Sequence, residues 1–526
     1  MLTNPGLRRL ELAWGGFYVG DWAFVVALSV YAYRHGGALA VGVVGLVRML
    51  PSAFAVPFTS VLTDRFSRHR LLTAVHAARA LTLAVGAVLI ASGGPPAAVY
   101  ATGSIAALAA TPFRPTHWAL LPTLARTPRE LVAANVSSST LESIATVLGP
   151  LLGGLLLAIW SPAGAFVLAA VLFSGSAILA ARVDEEGTRP RRREHILRDT
   201  FAGFRTLAAD RDPRLLVGLF VAQTFVRGLL NVLIVVTALE LLDLGGSGVG
   251  FLNAAFGIGG LIGAFWVLKL VSRRTLAYPF AGGLILWGTP IALIGVWPHE
   301  WVALVALALA GGGNTLLDVA GLTLIQRIVD DAVLGRVFGV LETGSYAAVG
   351  LGAIVAPGLV ALAGIRGALV ASGLILPVLA LLSWRRLGQI NHRVVIPERE
   401  LALLRRLAIF APLPPATVER LAMNLVPIHR PGGETVCRTG EIGDRFYVVG
   451  AGELDVAVDH APPRRLKAGD VFGEIALLRD VPRTATVTTL TDVDLYGLDR
   501  DTFVSAVTGS SASSAAADAL IEIRLG

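Results

Sequence analysis

The chain's most specific stretch is Phe472-Gly473-Glu474-Ile475-Ala476-Leu477-Leu478, and it is followed by Pro482-Arg483-Thr484-Ala485-Thr486-Val487. The glycine indicates that a strand ends there and a short helical turn begins, whose free backbone N–H groups attract an anion. The arginine arrives from the next strand with a positive charge on a planar fork that matches phosphate oxygens. The glutamate cannot bind phosphate, but its carboxylate suits a ribose hydroxyl. The stretch therefore predicts an anion site beside a sugar hydroxyl.

The sequence around this stretch is typical of a small mixed domain. From about residue 400, apolar runs shorten to strand length and alternate in polarity between Gly, Pro and Asp. The predicted elements are strands at 445–449, 453–458 and 486–488, and amphipathic helices at 398–408, 415–424, 500–508 and 514–523, with a flexible join over 509–515. We expect an α+β domain over 400–526, in which helices flank a β-roll or jelly roll.

These residues resemble the phosphate-binding cassette of cyclic nucleotide-binding domains, and the likeness extends over 400–526, including the turns at 431–434, 440–444 and 450–454. The resemblance implies that Glu474 binds the ribose 2′-hydroxyl and Arg483 the cyclic phosphate. The nucleotide-binding residues that it implies are Phe472, Gly473, Glu474, Ile475, Ala476, Leu477, Arg483, Thr484 and Ala485. The last helix would fold over the base through Leu520, Ile521 or Arg524. Since both charged partners are kept, we expect a working receptor and not a degenerate domain.

The expected ligand is cAMP, acting as an effector. Thr484 directly after the arginine resembles domains that favour cGMP, because its hydroxyl can reach the guanine amino group, so cGMP stays open. An enzyme is not expected, since the sequence has no phosphate-binding loop for ATP, no nucleophile elbow and no metal cluster. The single cysteine, Cys437, excludes an intramolecular disulfide and a Cys-based metal site. No metal is expected.

The rest of the chain is strongly apolar. Hydrophobic residues make up 54% and charged residues 15%, with a mean hydropathy of +0.69, whereas about a quarter of a soluble chain is charged. Apolar runs long enough to cross about 30 Å of hydrocarbon recur. The predicted spans are 11–33, 39–62, 71–92, 97–121, 135–159, 163–182, 214–241, 247–271, 276–297, 301–328, 336–362 and 365–384. These twelve spans predict a polytopic α-helical membrane protein in a lipid bilayer.

Arginine clusters occupy alternate loops, among them 64–70, 126–129 and 189–198. By the positive-inside rule this places the N-terminus, the central loop and the C-terminal domain in the cytoplasm. The net charge of +7 does not indicate nucleic acid, because the arginines lie beside apolar runs. The abundance of Arg, Ala and Gly fits a GC-rich bacterial genome, so the expected location is the plasma (inner) membrane.

The polar segment 183–213 divides the spans into two six-helix halves, 1–182 and 214–385, and 386–399 forms a short connector to the last domain. This layout resembles the major facilitator superfamily. The loop after the second span is similar to the family's loop motif, in which Asp64, Arg65 and Arg68 would latch helix ends in one transport state. It departs from the family at Ser60 and Ser67, where glycine is usual. The motif at 148–154 is similar to one that is frequent in exporters that exchange substrate for protons. The runs at 113–115, 121–122 and 335–339 resemble drug- and siderophore-exporting branches of the superfamily.

Ionisable residues inside spans cost about 3 kcal/mol unless they are paired or hydrated, so each is a functional candidate. The candidates for transport and proton coupling are Asp21, Arg114, Glu142 and Asp318, with Asp21 and Glu142 as preferred proton carriers and Arg114 as their partner. Structural salt bridges near helix ends are the alternative. We expect His76 and His117 to be packed or interfacial, because no second ligand lies at metal-binding spacing.

These resemblances imply a secondary active transporter, a proton-coupled exporter of a small molecule, that a cyclic nucleotide regulates. A short charged connector can transmit movement between the domains. A membrane-anchored nucleotide sensor without transport stays open as the alternative. A nucleotide-gated channel would need a pore loop, and the sequence contains none.

Overall fold

The computed structural model describes residues 4–125, 128–183, 205, 207, 210–270, 276–329, 331–393, 398–413, 415–458, 464–508 and 511–525. The chain forms two compact units, Met1–Ile390 and Asn391–Gly526. Most of the predicted central loop, 183–213, lies outside the described residues, and so do the connector residues 394–397.

The first unit consists of long apolar helices. They are α1 (Pro5–Arg65), α2 (Arg68–Ala91), α3 (Pro96–Ala110), α4 (Phe113–Leu124), α5 (Pro128–Ile159), α6 (Pro162–Ala181), α7 (Arg211–Val236), α8 (Gly245–Leu270), α9 (Ala277–Val296), α10 (Glu300–Ile328) and α11 (Asp331–Arg393). A π-helical turn, Thr237–Leu241, continues α7. Within the described ranges, nine helices are long and apolar enough to cross a membrane.

Breaks in the helices explain how this number relates to the twelve predicted spans. The helical backbone is interrupted at Gly36–Gly37 in α1 and at Gly364 in α11, so each of these helices contains two predicted spans. The predicted span 97–121 is instead divided into α3 and α4. Because Pro112 has no N–H, it cannot donate to the Leu108 carbonyl, and the Thr111 N–H donates there at 3.2 Å. Each predicted span therefore overlaps a helix or a helical segment.

Glycines at 148–154 bring α5 close to two other helices. A Cβ on Gly149 would lie 2.4 Å from the Cβ of Trp22 in α1. A Cβ on Gly154 would lie 3.0 Å from the Cα of Gly250 in α8. Small residues let helix backbones approach closely in membranes, where packing and not hydrophobic exclusion drives association. The motif thus joins α5 to a helix of each predicted half.

The second unit is an α+β domain. Its elements are α12 (Glu398–Arg405), α13 (Pro415–Asn424), β1 (Val426–Arg430), β2 (Thr435–Cys437), β3 (Arg445–Ala451), β4 (Leu454–Ala457), β5 (Arg464–Leu466), β6 (Val471–Phe472), α14 (Glu474–Leu478), β7 (Thr486–Thr489), β8 (Val493–Asp499), α15 (Arg500–Thr508) and α16 (Ser511–Leu525). The strands form two antiparallel sheets with the orders β1-β8-β3-β6 and β2-β7-β4-β5. This confirms the predicted sheet domain with flanking helices.

Two hydrophobic cores follow from the alternation of side chains along β3. Phe446 and Val448 pack with the helices, in a core that also contains Phe410 and Phe503. Tyr447 and Val449 face the core between the two sheets. Successive side chains of a strand point to opposite faces, so one central strand holds both cores together.

Two predicted boundaries differ from the structure. The helix α16 begins at Ser511, so residues 511–515 of the join expected over 509–515 are helical, because the alanine run at 515–517 favours a helix and the buried Ser513 hydroxyl donates to the Ile409 carbonyl. The helix α11 continues to Arg393, through the first part of the predicted connector 386–399, because good helix formers predominate over 378–387, no proline follows Pro377 before Pro397, and Gly388 alone does not end the helix.

Candidate functional site

A cleft in the second unit gathers the predicted cassette. The strand β6 ends at Phe472, Gly473 is the N-cap of α14, and the loop before β7 brings the chain back at Arg483. The cavity has a volume of about 140 Å³. Its lining includes eight of the nine predicted residues: Phe472, Gly473, Glu474, Ile475, Ala476, Arg483, Thr484 and Ala485. The ninth, Leu477, is buried in the helical core behind the cleft.

Position 473 requires glycine for two reasons. Its backbone has φ 91°, in the left-handed region that residues with side chains rarely adopt. A Cβ there would also lie 2.4 Å from Arg483 Nη1 and 3.0 Å from the carbonyl oxygen of Arg445. The glycine therefore lets the guanidinium pack directly against the backbone at the start of α14.

Contacts with the backbone orient the guanidinium of Arg483, which is 5% exposed. Its Nη1 donates to the Gly473 carbonyl at 3.1 Å, and its Nη2 donates to the Arg445 carbonyl at 2.7 Å. The carboxylate of Asp444 lies 3.7 Å from Nη2, and the ring of Tyr447 lies 5.7 Å from the guanidinium carbon. Since a guanidinium carries five N–H donors, these contacts orient the fork and leave it capacity for phosphate oxygens.

The turn at 440–444 holds the backbone of the same arginine. The Arg483 N–H donates to the Glu441 carbonyl and the Gly440 N–H donates to the Arg483 carbonyl, both at 2.8 Å. Arg483 lies in the loop before β7 and not on the strand itself, which differs from our expectation. The physical reason is that these two backbone hydrogen bonds hold Arg483 against the turn, and they replace the pairing of a regular strand at that position.

Glu474 is the first residue of α14 and is 1% exposed, although it belongs to the cleft lining. A carboxylate at this place can accept a hydrogen bond from a hydroxyl group inside the cleft. It lies one residue from Gly473, whose carbonyl binds Arg483. An acceptor and a cation therefore lie side by side, as a ribose next to a phosphate requires.

The opposite wall was not predicted from the sequence. Val487, Val456 and Arg464 are cross-strand neighbours on β7, β4 and β5, and all three line the cleft. Arg464 and Leu466 alternate along β5 and share its inner face, which is the signal that could have identified them. The wall also contains Cys437, and burial raises the pKa of its thiol. This opposite wall is therefore mainly apolar, with Arg464 at its edge.

Of the three residues through which the last helix was expected to fold over the base, only Ile521 has a described side chain. Ile521 is fully buried, whereas the side chains of Leu520 and Arg524 lie outside the description. The cleft lining contains no described residue of α16. Asp518 of α16 lies 3.5 Å from Arg479, directly after α14, so the last helix contacts the end of the cassette.

In the first unit, the structure pairs the predicted proton-coupling residues differently from our expectation. Arg114 pairs with Glu142 at 3.5 Å, as expected. Asp21 instead forms an ion pair with Arg79, which is fully buried and lies between the rings of Phe17 and Phe173. The rings and the carboxylate together compensate the buried charge.

Two cavities in the first unit contain the remaining candidates. Glu142, Arg227 and Asp318 line a cavity of about 330 Å³ between helices of both predicted halves. Arg114 lines another of about 480 Å³ with Glu342. The carboxylate of Asp318 accepts a hydrogen bond from Asn314 at 2.7 Å. Charged groups of both signs therefore face internal space large enough for a small molecule.

The predicted loop motif is only partly described. The side chains of Asp64 and Arg65 lie outside the description, whereas Arg68 Nη1 donates to the Ala119 carbonyl at 3.0 Å. This bond joins the start of α2 to α4. Among the described side chains, no cluster of three or more His, Cys, Asp or Glu residues could hold a metal ion.

Two different family models match the apolar helical part of the chain and its C-terminal domain. The family model Major Facilitator Superfamily matches residues 12–329 and again 216–431, and the family model Cyclic nucleotide-binding domain matches residues 427–509. Similar solved structures include the regulatory domain of Toxoplasma gondii PKA in a co-crystal with cAMP. It is 24% identical, with 26% of this chain and 55% of that chain covered and a TM-score of 0.23.

A second similar structure is the regulatory subunit of a cAMP-independent protein kinase A from Trypanosoma cruzi bound to guanosine. It is 24% identical, with 21% of this chain and 40% of that chain covered and a TM-score of 0.21. The chain thus spans about half, or less, of the length of these structures. Because the first family model covers more than half of the chain, and the second covers the cleft, this protein belongs to the major facilitator superfamily and carries a C-terminal cyclic nucleotide-binding domain.

Proposed function

We propose that this protein is a secondary active transporter, a proton-coupled exporter of a small molecule, and that cAMP or cGMP regulates it from the C-terminal domain. One observation carries the proposal. The cleft holds the buried guanidinium of Arg483 beside the buried carboxylate of Glu474, in a chain of the transporter superfamily. The nucleotide is an effector in this proposal and not a fuel.

The chemistry of the cleft supports a cyclic nucleotide. An oriented guanidinium forms charge-assisted hydrogen bonds with phosphate oxygens, which are about twice as strong as neutral ones. Glu474 accepts the ribose 2′-hydroxyl. The apolar row of Val487 and Val456 receives the base. Thr484, at the cleft and exposed, offers a hydroxyl to a guanine amino group, which keeps cGMP as a rival to cAMP.

Regulation requires that the nucleotide bind one transport state better than another. In our proposal the halves 1–182 and 214–385 alternate between states in the plasma (inner) membrane, and the domain at 400–526 is cytoplasmic, together with the N-terminus and the loop 183–213. The arginine-rich loops support this orientation. Nucleotide binding then shifts the equilibrium between the states through the connector at 386–399.

Proton coupling is assigned to the charged residues of the first unit. Glu142 and Asp318 face one cavity, and Arg114 lies 3.5 Å from Glu142, so protonation of Glu142 would weaken this ion pair and change the charge that faces the cavity. Asp21 contributes through its pair with Arg79. Charged residues inside spans are costly and commonly mark proton or substrate pathways.

The test uses the full chain in liposomes that contain ethidium, a fluorescent organic cation. We expect a pH gradient to drive ethidium movement, and cAMP or cGMP on the domain side to change its rate. Calorimetry on the same preparation measures the affinity for each nucleotide. Equal rates with and without a bound nucleotide would refute regulation. Nucleotide binding in a protein that moves neither ethidium nor other drug-like cations would favour the membrane-anchored sensor.

A further inference from the structure

Three polar side chains from three helices meet in the interior of the first unit, at a place that the proposed function does not use. We call Glu11, His117 and Ser138 the Glu11 cluster; they lie on α1, α4 and α5, and none is more than 2% exposed. The Ser138 hydroxyl donates to Glu11 Oε1 at 2.7 Å. His117 Nε2 lies 3.3 Å from the Ser138 oxygen and 4.0 Å from Glu11 Oε1.

The cluster leaves polar atoms without hydrogen bonds. Among the described residues, neither Glu11 Oε2 nor His117 Nδ1 has a hydrogen-bond partner. The surroundings are aromatic: the Trp14 ring lies 3.9 Å from the His117 ring, and its Nε1 donates to the Ser138 carbonyl at 3.0 Å. Burying a carboxylate with so few donors is costly, whereas a protonated carboxyl carries no charge. The enclosure therefore suits a carboxyl group that holds a proton.

The cluster lies next to the cavities. Arg114 precedes His117 by three residues on α4, and Glu142 follows Ser138 by four residues on α5. Such spacings place side chains one turn apart on the same helix face, about 5.4 Å along the axis. Because Arg114 and Glu142 pair with each other and line the two cavities, the Glu11 cluster lies one helical turn from them along α4 and α5.

Other groups on the surrounding helices bear on a proton in this cluster. His76 on α2 and Arg114 on α4 act on His117 through their charges. Other titratable or charged side chains on the helices packed around the cluster include Tyr18 and Asp21 on α1, Arg79 on α2, and Glu130 and Glu142 on α5, while α6 presents the uncharged Ser176. Asp21 and Arg79 compensate each other, and so do Arg114 and Glu142. Glu11 has the Ser138 hydroxyl and the His117 imidazole among its polar neighbours.

From this geometry we infer that the Glu11 cluster is a proton-binding site one helical turn from the Arg114–Glu142 pair at the cavities. A hydronium ion, or a protonated carboxyl in the cavity, gives up a proton, and an O–H bond forms at the Glu11 carboxylate; release breaks that bond and returns the proton. Ser138 and His117 position the carboxyl. The use of this proton in transport rests on the proposed function, but its binding does not.

Infrared difference spectroscopy of the full chain in lipid tests the binding directly. As the pH falls, the C=O stretching region of protonated carboxyls should gain a component band in the wild type that is missing in Glu11→Gln. The control Glu300→Gln, at an exposed helix start, should keep the band. Ser138→Ala should keep it at a higher frequency, because the carbonyl loses a hydrogen bond. A spectrum of Glu11→Gln identical to that of the wild type at every pH would overturn the inference.

A transport measurement then separates the proton site from the proposed function. In liposomes, Glu11→Gln should lose the dependence of ethidium movement on the pH gradient, while calorimetry shows unchanged nucleotide binding. If the band titrates but the variant responds to the gradient like the wild type, the site is not coupled to transport. If the wild type moves no ethidium, the proposed function fails, and the infrared result still decides whether Glu11 binds a proton.

Discussion

The substitution Gly473→Ala should reduce nucleotide affinity through Arg483, and the structure predicts by how much. An added Cβ lies 2.4 Å from Arg483 Nη1, whereas ordinary contacts begin at 3.4 Å, so the nitrogen has to move by about 1 Å. That shift breaks the 3.1 Å bond to the Gly473 carbonyl and turns the fork away from the phosphate. A hydrogen bond to a charged group contributes about 1.5–3 kcal/mol. Losing one such bond to the nucleotide raises Kd roughly ten- to hundredfold.

A second glycine supplies the matched control. Gly469 has φ 94°, almost the same as the φ of 91° at Gly473, but a Cβ there meets no atom within 4 Å. Alanine in the left-handed region costs roughly 1–2 kcal/mol at either position. Gly469→Ala should therefore destabilise the domain by a similar amount without moving Arg483.

The assay combines thermal unfolding with calorimetry of cAMP and cGMP on the full chain in lipid nanodiscs. Both variants should unfold at a lower temperature than the wild type, and only Gly473→Ala should lose affinity. The reasoning is refuted if Gly473→Ala binds as tightly as the wild type, or if the two variants lose affinity equally. In the second case, strain in the fold and not displacement of the arginine would control binding.

Three further predictions concern the same cleft. Arg483→Ala should raise Kd for both nucleotides at least about a hundredfold, whereas Arg438→Ala, which removes an exposed arginine, should leave calorimetric affinity within about twofold. Thr484→Ala should weaken cGMP more than cAMP, by about 1 kcal/mol; equal losses would exclude a contact with the guanine amino group. Burial raises the pKa of the Cys437 thiol, so the reactive thiolate is scarce. Iodoacetamide should therefore alkylate Cys437 slowly at about pH 8 and faster as the pH rises, and a bound nucleotide should slow the reaction further. Rapid alkylation of the native chain near neutral pH would contradict this.

The helices of the first unit could be predicted well, because a span needs only a long apolar run, which is a local property. Helices are predicted less accurately where a single backbone hydrogen bond decides whether the helix continues. Pro112 divides the span at 97–121, which hydropathy predicts as one continuous span. The end of α11 at Arg393 could not be read from hydropathy either, since the helix continues after the apolar residues end.

One wall of the candidate nucleotide site could be predicted from the sequence, and the other could not. The residues of 472–485 form one wall, and they are recognisable because they are close in sequence and each has a distinct role. The other wall, with Val456 and Arg464, joins the cleft only because β4 lies between β7 and β5 in the sheet. Strand order is set by long-range pairing, which local patterns do not encode.

Local chemistry determined what could be known from the sequence itself: the apolar runs, the arginine-rich loops and the cassette around Arg483. Only the tertiary structure decided which side chains meet. It paired Asp21 with Arg79 instead of Arg114, and it brought Glu11 within 2.7 Å of Ser138 across 127 residues of sequence. The physical reason is that contacts between helices depend on how their faces pack, and close packing arises from all the side chains together.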